Sequence, residues 1–126
     1  MKILILEDSN EKYMALVRVL KRCGEENVSW VDNQADGLAL LQEAAQSGEP
    51  YDLAITDMHY PPAPDAPSEF DCGKRLPAAL AEKELHVKTV LCSSVRYQVP
   101  GFDACLWFVK SSDWESELRD ILQRLR

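Results

Sequence analysis

The sequence has no run of lysine and arginine, no CxxC pair among its four cysteines, no long apolar stretch and no internal repeat. Each absence removes a class of function. A formal net charge of −7 with no basic cluster argues against nucleic acid or anionic membrane as the main partner. Cys23, Cys72, Cys92 and Cys105 lie far apart, which argues against structural zinc and reads as reduced thiols in a cytoplasmic protein. The N-terminal apolar run, Ile3 to Leu6, is too short for a signal peptide or a membrane span.

What is present is ordinary globular material, 46% hydrophobic and 28% charged over 126 residues. That length predicts one domain, 1–126, around one core. The one biased segment is a proline-rich insertion at 59–71, with four prolines between Pro61 and Pro67.

Two kinds of segment alternate. Lys2–Leu6, Val28–Val31, Leu53–Thr56, Val87–Cys92 and Leu106–Val109 are short, apolar and rich in β-branched or aromatic residues, as strands buried on both faces are. Between them run helical periods. Tyr13, Leu16, Val17 and Leu20 form one stripe, and Ala35, Leu38, Leu41 and Ala45 a second, capped by Asp32 or Asn33. A third helix starts near Lys74, with Pro77 in its first turn. The last opens on Ser112-Asp113-Trp114-Glu115, a capping-box pattern, and buries Trp114, Leu118, Ile121, Leu122 and Leu125. Strict β/α alternation predicts an α/β fold, a five-stranded parallel doubly wound sheet whose ligand edge is the C-terminal ends of its strands.

The residues just past those ends carry the chemistry. Glu7 and Asp8 follow strand one, Asp57 strand three, Ser93 and Ser94 strand four, and Lys110 strand five. Two unit charges about 4 Å apart repel by roughly 4 kcal/mol at an effective dielectric near 20. Clustered carboxylates must therefore protonate, separate or hold a cation. A hard divalent ion such as Mg²⁺ suits all-oxygen ligands and leaves room for a phosphoryl group. In such a site an aspartate can attack phosphorus, while an ammonium and a hydroxyl face the phosphoryl oxygens.

Four motifs in chain order, "ILILEDS", "DLAITDM", "TVLCSS" and "LWFVK", resemble the signature of response regulator receiver domains, the CheY-like family, over essentially the whole chain. The resemblance implies a flavodoxin-like sheet of order 2-1-3-4-5. It implies that Asp57 is the phosphoacceptor, that Asp8 ligates Mg²⁺ directly with Glu7 beside it, and that the His59 backbone carbonyl completes the metal shell. Ser93 would bond a phosphoryl oxygen, Lys110 would pair with the phosphate, and Trp107 would be the aromatic switch responding to Ser93. The partners implied are a histidine kinase or phosphotransfer protein and a downstream protein target, with no nucleic acid and no membrane. The chain would act as a phosphoacceptor rather than as an enzyme on a separate substrate, apart from its own dephosphorylation. Because it closes with the last helix at Arg126, output through another protein is expected.

Three features depart from that pattern. Met58 to Cys72 spans fifteen residues where loops in α/β units usually take about 2–6, and its prolines predict a semi-rigid arm that restricts access to Asp57 or docks a partner. The twelve residues from Ser94 to Cys105 leave no space for a full helix, so the fourth helix is expected to be reduced or absent. Ser111 stands where the family usually has a cis proline, so either the bond is trans and Lys110 is aimed differently, or strain is retained.

The rival to phosphotransfer is a pseudo-receiver that keeps the fold and acts as a phosphorylation-independent interaction module. An aspartate-nucleophile phosphatase would want a second Asp where His59 stands, and a cobalamin-type DxHxxG motif would want glycine at Pro62.

Overall fold

Successive side chains of a strand point to opposite faces, and in β1 (Ile3–Leu6) all four are buried, so both faces must be covered. The computed structural model, which describes all 126 residues, supplies that cover. Its elements are β1, α1 (Asn10–Arg22), β2 (Val28–Val31), α2 (Gln34–Gln46), β3 (Leu53–Thr56), α3 (Leu76–Glu82), β4 (Lys88–Ser93), β5 (Ala104–Trp107) and α4 (Trp114–Leu125), with a 3₁₀ turn at Gly73–Arg75. The five strands form one parallel sheet in the order β2-β1-β3-β4-β5, the order expected. Ile3 and Ile5 pack on one side with Leu16, Leu20, Leu118 and Leu122 of α1 and α4. Leu4 and Leu6 pack on the other with Leu41, Tyr60, Leu76 and Leu80.

No helix joins β4 to β5, as the short connection required; residues 94–103 run in bends and a turn at Pro100-Gly101, where Gly101 takes a φ of 96°. Three local expectations need correction. Strand five lies two residues earlier than Leu106–Val109. Ala104 and Cys105 pair with Val90 and Leu91, and the register closes at Ser93 opposite Trp107, so no partner strand remains for Val109. The buried stripe of α2 is Gln34, Gly37, Leu41 and Ala44, while Ala35 and Ala45 are exposed. Gly37 presses so closely on Leu6 and Val31 that a Cβ there would meet the Leu6 side chain, an approach the apolar pattern does not encode. Finally, Asp113 caps α4 by accepting from the Ser116 N–H, while Ser112 turns back to donate to the Trp107 and Val109 carbonyls.

The proline-rich segment is not an extended arm. A bridge between Tyr60 and Glu69 closes it into a loop, and Tyr60 is fully buried. The loop docks on the start of α2, where the Gln34 and Ala35 N–H groups donate to the carbonyls of Pro61 and Pro62 at 3.0 and 2.9 Å. These are among the first-turn donors that have no partner inside a helix. Beneath it the Tyr60 hydroxyl accepts from Thr56 Oγ1 at 2.8 Å and from Gln34 Nε2 at 3.3 Å, while Gln34 Nε2 also donates to the Cys72 carbonyl. The loop returns at Gly73, whose N–H donates to the Met58 carbonyl at 2.9 Å.

Gly73 lies so close to the end of β3 that a Cβ would fall 1.7 Å from the Asp57 carbonyl oxygen. Since the obstacle is backbone, it cannot rotate aside. Gly73→Ala should therefore destabilise the fold by about 3 kcal/mol, at the upper end of overpacking costs, as a lower midpoint in urea denaturation. Gly48→Ala, whose Cβ would meet nothing, serves as the comparison for strain from positive φ alone.

Candidate functional site

Three strand ends set the site. β1 delivers Glu7 and Asp8, β3 delivers Asp57, and β4 ends on Ser93. Glu7, Asp8 and Asp57 each present a carboxylate oxygen, all within 4.8 Å of one another. Glu7 is buried, Asp57 half-buried and Asp8 exposed. Glu7 is fixed by the turn into α1, with Oε2 accepting the N–H groups of Asp8 and Ser9 at 2.9 and 3.1 Å. Its backbone carbonyl accepts the Trp30 indole N–H at 2.7 Å, and Trp30 in turn stacks on Tyr13. Asp8 Oδ2 accepts from Ser68 Oγ of the proline-rich loop at 3.3 Å, the loop's one hydrogen bond to the acidic rim.

The ammonium among these carboxylates belongs to Lys12. Its Nζ donates to Asp57 Oδ1 at 2.9 Å and to the Cys92 carbonyl at 3.1 Å, and lies 3.1 Å from Glu7 Oε1. The Glu7 contact is close enough for charge attraction but not aligned as a hydrogen bond, so the buried Oε1 accepts none. The Phe108 ring sits 5.3 Å from the same ammonium. Asp57 Oδ1 is further engaged by the Met58 N–H at 2.8 Å, while Oδ2 accepts no hydrogen bond.

Burial drives the Glu7 carboxyl from 4.5 up to about 7, aided by Asp57 and opposed by Lys12. Burial also opposes the charge on Lys12, yet its anionic surroundings, including Glu7 and Asp57, prevail and hold its pKa above the ordinary lysine value. Burial pushes the Cys92 thiol beneath them up to about 12, so it stays protonated.

Among the other expected site residues, Ser93 is buried beside Cys92 and its Oγ accepts from the Val95 N–H at 3.2 Å. Trp107 is half-buried; its indole donates to the Ser94 carbonyl at 3.1 Å and Arg96 stands 5.3 Å from its ring. His59 is exposed with its ring edge-on to Phe70. Lys110 is not brought to Asp57. Because β5 ends at Trp107, Lys110 falls in the following turn, exposed and in no ion pair. Its bond to Ser111 is trans, like every peptide bond in the chain.

Lys12 escaped the sequence reading because it lies on a helix rather than at a strand end. One signal was available: a lysine in the first turn of α1 faces the positive end of the helix dipole, a position that favours acids.

The donor chemistry fits a hard divalent cation. Three carboxylates against one ammonium leave an excess of up to two negative charges, and buried Glu7 Oε1 lacks a hydrogen bond.

No family model and no curated protein matches the sequence. Solved structures do. A DNA-binding response regulator of the LuxR family from Staphylococcus aureus superposes with a TM-score of 0.70 at 22% identity, over 98% of this chain and 96% of that one. A CheY-like response regulator receiver domain from Methylobacillus flagellatus gives 0.68 at 24%, over 98% and 97%. Another from Methanospirillum hungatei gives 0.65 at 20%, over 98% and 91%. The chain thus has the fold of CheY-like receiver domains.

The Glu7 shift sets a pH dependence. A carboxyl that is more basic in the folded chain than in the unfolded one is protonated preferentially in the fold between pH 4.5 and about 7. Its contribution is full below 4.5 and is lost as pH rises to about 7, by up to about 3 kcal/mol. In chelator, wild-type stability in urea should fall across this window, and Glu7→Gln should flatten the decline.

Proposed function

We propose that the chain is a phosphorelay receiver that accepts a phosphoryl group on Asp57 and passes the signal to a partner protein. The observation that carries this reading is the meeting of Glu7, Asp8 and Asp57 within 4.8 Å on the ligand-binding edge of a receiver-type sheet. With Oδ1 held by Lys12 and the Met58 N–H, Oδ2 of Asp57 is the free nucleophile. It attacks the phosphorus of a phosphohistidine on a histidine kinase or phosphotransfer protein. The P–O bond forms, the P–N bond breaks, and the departing imidazole takes up a proton. Glu7, Asp8, Asp57 and the His59 carbonyl would hold Mg²⁺, which supplies charge compensation for the phosphoryl oxygens. Ser93 donates its hydroxyl proton to one of those oxygens, and the Ser93–Ser94 segment carries that pull to the Trp107 indole. The protein would work in the cytoplasm and would catalyse nothing beyond the loss of its own phosphoryl group.

A second reading, a phosphorylation-independent interaction module, draws on one observation: the Lys12 ammonium already balances Asp57 at 2.9 Å. The two separate on one experiment. Under the first, a small phosphodonor with Mg²⁺ yields a single phosphoryl adduct in the intact mass, absent in Asp57→Asn. Beryllofluoride with Mg²⁺ then changes tryptophan fluorescence, and Trp107→Phe abolishes the change. No adduct and no fluorescence response would refute the first and leave the second standing.

A further inference from the structure

The acidic site already contains a cation. Lys12 Nζ lies 2.9 Å from Asp57 Oδ1 and 3.1 Å from Glu7 Oε1, two of the carboxylates expected to face a metal. Its side chain is only 15% exposed, and the Cys92 carbonyl at 3.1 Å and the Phe108 ring at 5.3 Å fix it from the remaining sides. Such a lysine is not a solvated surface charge. It reaches from the first turn of α1, against the helix dipole, into a pocket where two carboxylates compensate it. Each attraction at about 3 Å outweighs the dipole's opposition severalfold at an effective dielectric near 20.

We infer that Lys12 is the built-in counter-cation of the Asp57 site: it competes with divalent metal for the Glu7 and Asp57 carboxylates, and it supplies the ammonium that faces a phosphoryl group on Asp57. The second half rests on the phosphoacceptor reading; the first stands on the ion pairs alone. A divalent ion and an ammonium sharing the same two carboxylates repel each other, so metal enters at the expense of the Lys12 contacts. A phosphoryl group brings new anionic oxygens, which give the ammonium a partner that does not exclude the metal. Metal and phosphoryl group therefore bind cooperatively, with Lys12 as the coupling element. Lys110, exposed and unpaired, has no part in this.

Calorimetric titration of the full chain with Mg²⁺, and with Mg²⁺ plus beryllofluoride, tests it on wild type, Lys12→Met and Lys110→Met. Lys12→Met should bind Mg²⁺ at least about ten-fold more tightly than wild type, because a competing charge has gone. The same variant should bind beryllofluoride at least about ten-fold more weakly, because the facing ammonium has gone. Lys110→Met should match wild type in both. Unchanged or weakened Mg²⁺ affinity in Lys12→Met, or these effects appearing in Lys110→Met, would overturn the inference. Should Lys12→Met fail to fold, the ¹⁵Nζ resonance of Lys12 in wild type decides: it must shift and exchange faster on Mg²⁺ addition, and an unmoved signal at saturating metal refutes the competition. If beryllofluoride binds no variant while Mg²⁺ affinity still rises in Lys12→Met, the phosphoacceptor reading fails and the competition stands.

Discussion

A carboxylate can be kept inside a protein only if something meets its charge, and at Glu7 the chain answers with two backbone N–H groups on one oxygen and an ammonium near the other. The rest of the site hangs on that arrangement. Glu7 draws Lys12 inward from α1, and Lys12 in turn reaches Asp57 on the next strand and the Cys92 carbonyl on the strand beyond. One side chain thus ties the C-terminal edges of β1, β3 and β4 together at the level where chemistry would occur. Removing one partner of such a group costs more than the net worth of the pair, since it strands the other charge in a poorly solvated place. The site is consequently strained in charge but tightly held in geometry.

The proline-rich loop serves the same end from the other face of the sheet. An α-helix that starts at a sheet edge leaves donors without partners, and here Asn33 meets one while the Pro61 and Pro62 carbonyls meet two more. The loop can do this because prolines give up no acceptor while lacking an N–H of their own. Its buried Tyr60 then links Thr56, next to Asp57, to Gln34 in α2. Gly73 closes the circuit by lying directly on the Asp57 carbonyl. An insertion that looks like an appendage in the sequence is a buttress for the residue it follows.

Much of the frame was legible because apolar runs mark strands and strands mark their own ends. Glu7, Asp8 and Asp57 were found that way, and so was the missing helix, from connection length alone. What failed were contacts made across elements. Gly37 and Gln34 carry no hydrophobic signal, yet they form the inner face of α2 because backbone proximity and a buried amide partner decide there. Strand five was set two residues too late because Phe108 and Val109 are as strand-like as Ala104 and Cys105 are not, while pairing with β4 chose the register. Lys110 accordingly lies in the turn past the strand, exposed and in no ion pair. Lys12 was invisible for a related reason: a long flexible side chain can reach a pocket that its position along the helix does not announce.

The loss of a helix between β4 and β5 changes how the rim would communicate with the surface. Ser93 and Trp107 are register partners at the end of the paired strands, and the Phe108 N–H donates to the Ser93 carbonyl at 2.8 Å. The Trp107 indole is anchored to the carbonyl of Ser94, one residue past the buried hydroxyl, and its backbone N–H is held by Glu117 of α4. Glu117 also lies 3.9 Å from Arg96, the guanidinium that faces the indole ring. A displacement of Ser93 towards Asp57 would therefore reach the Trp107 ring through a single peptide unit, and α4 through Glu117, without a helix having to move. The short connection thus leaves Arg96, Trp107 and Glu117 in mutual contact directly beside the strand end that carries Ser93.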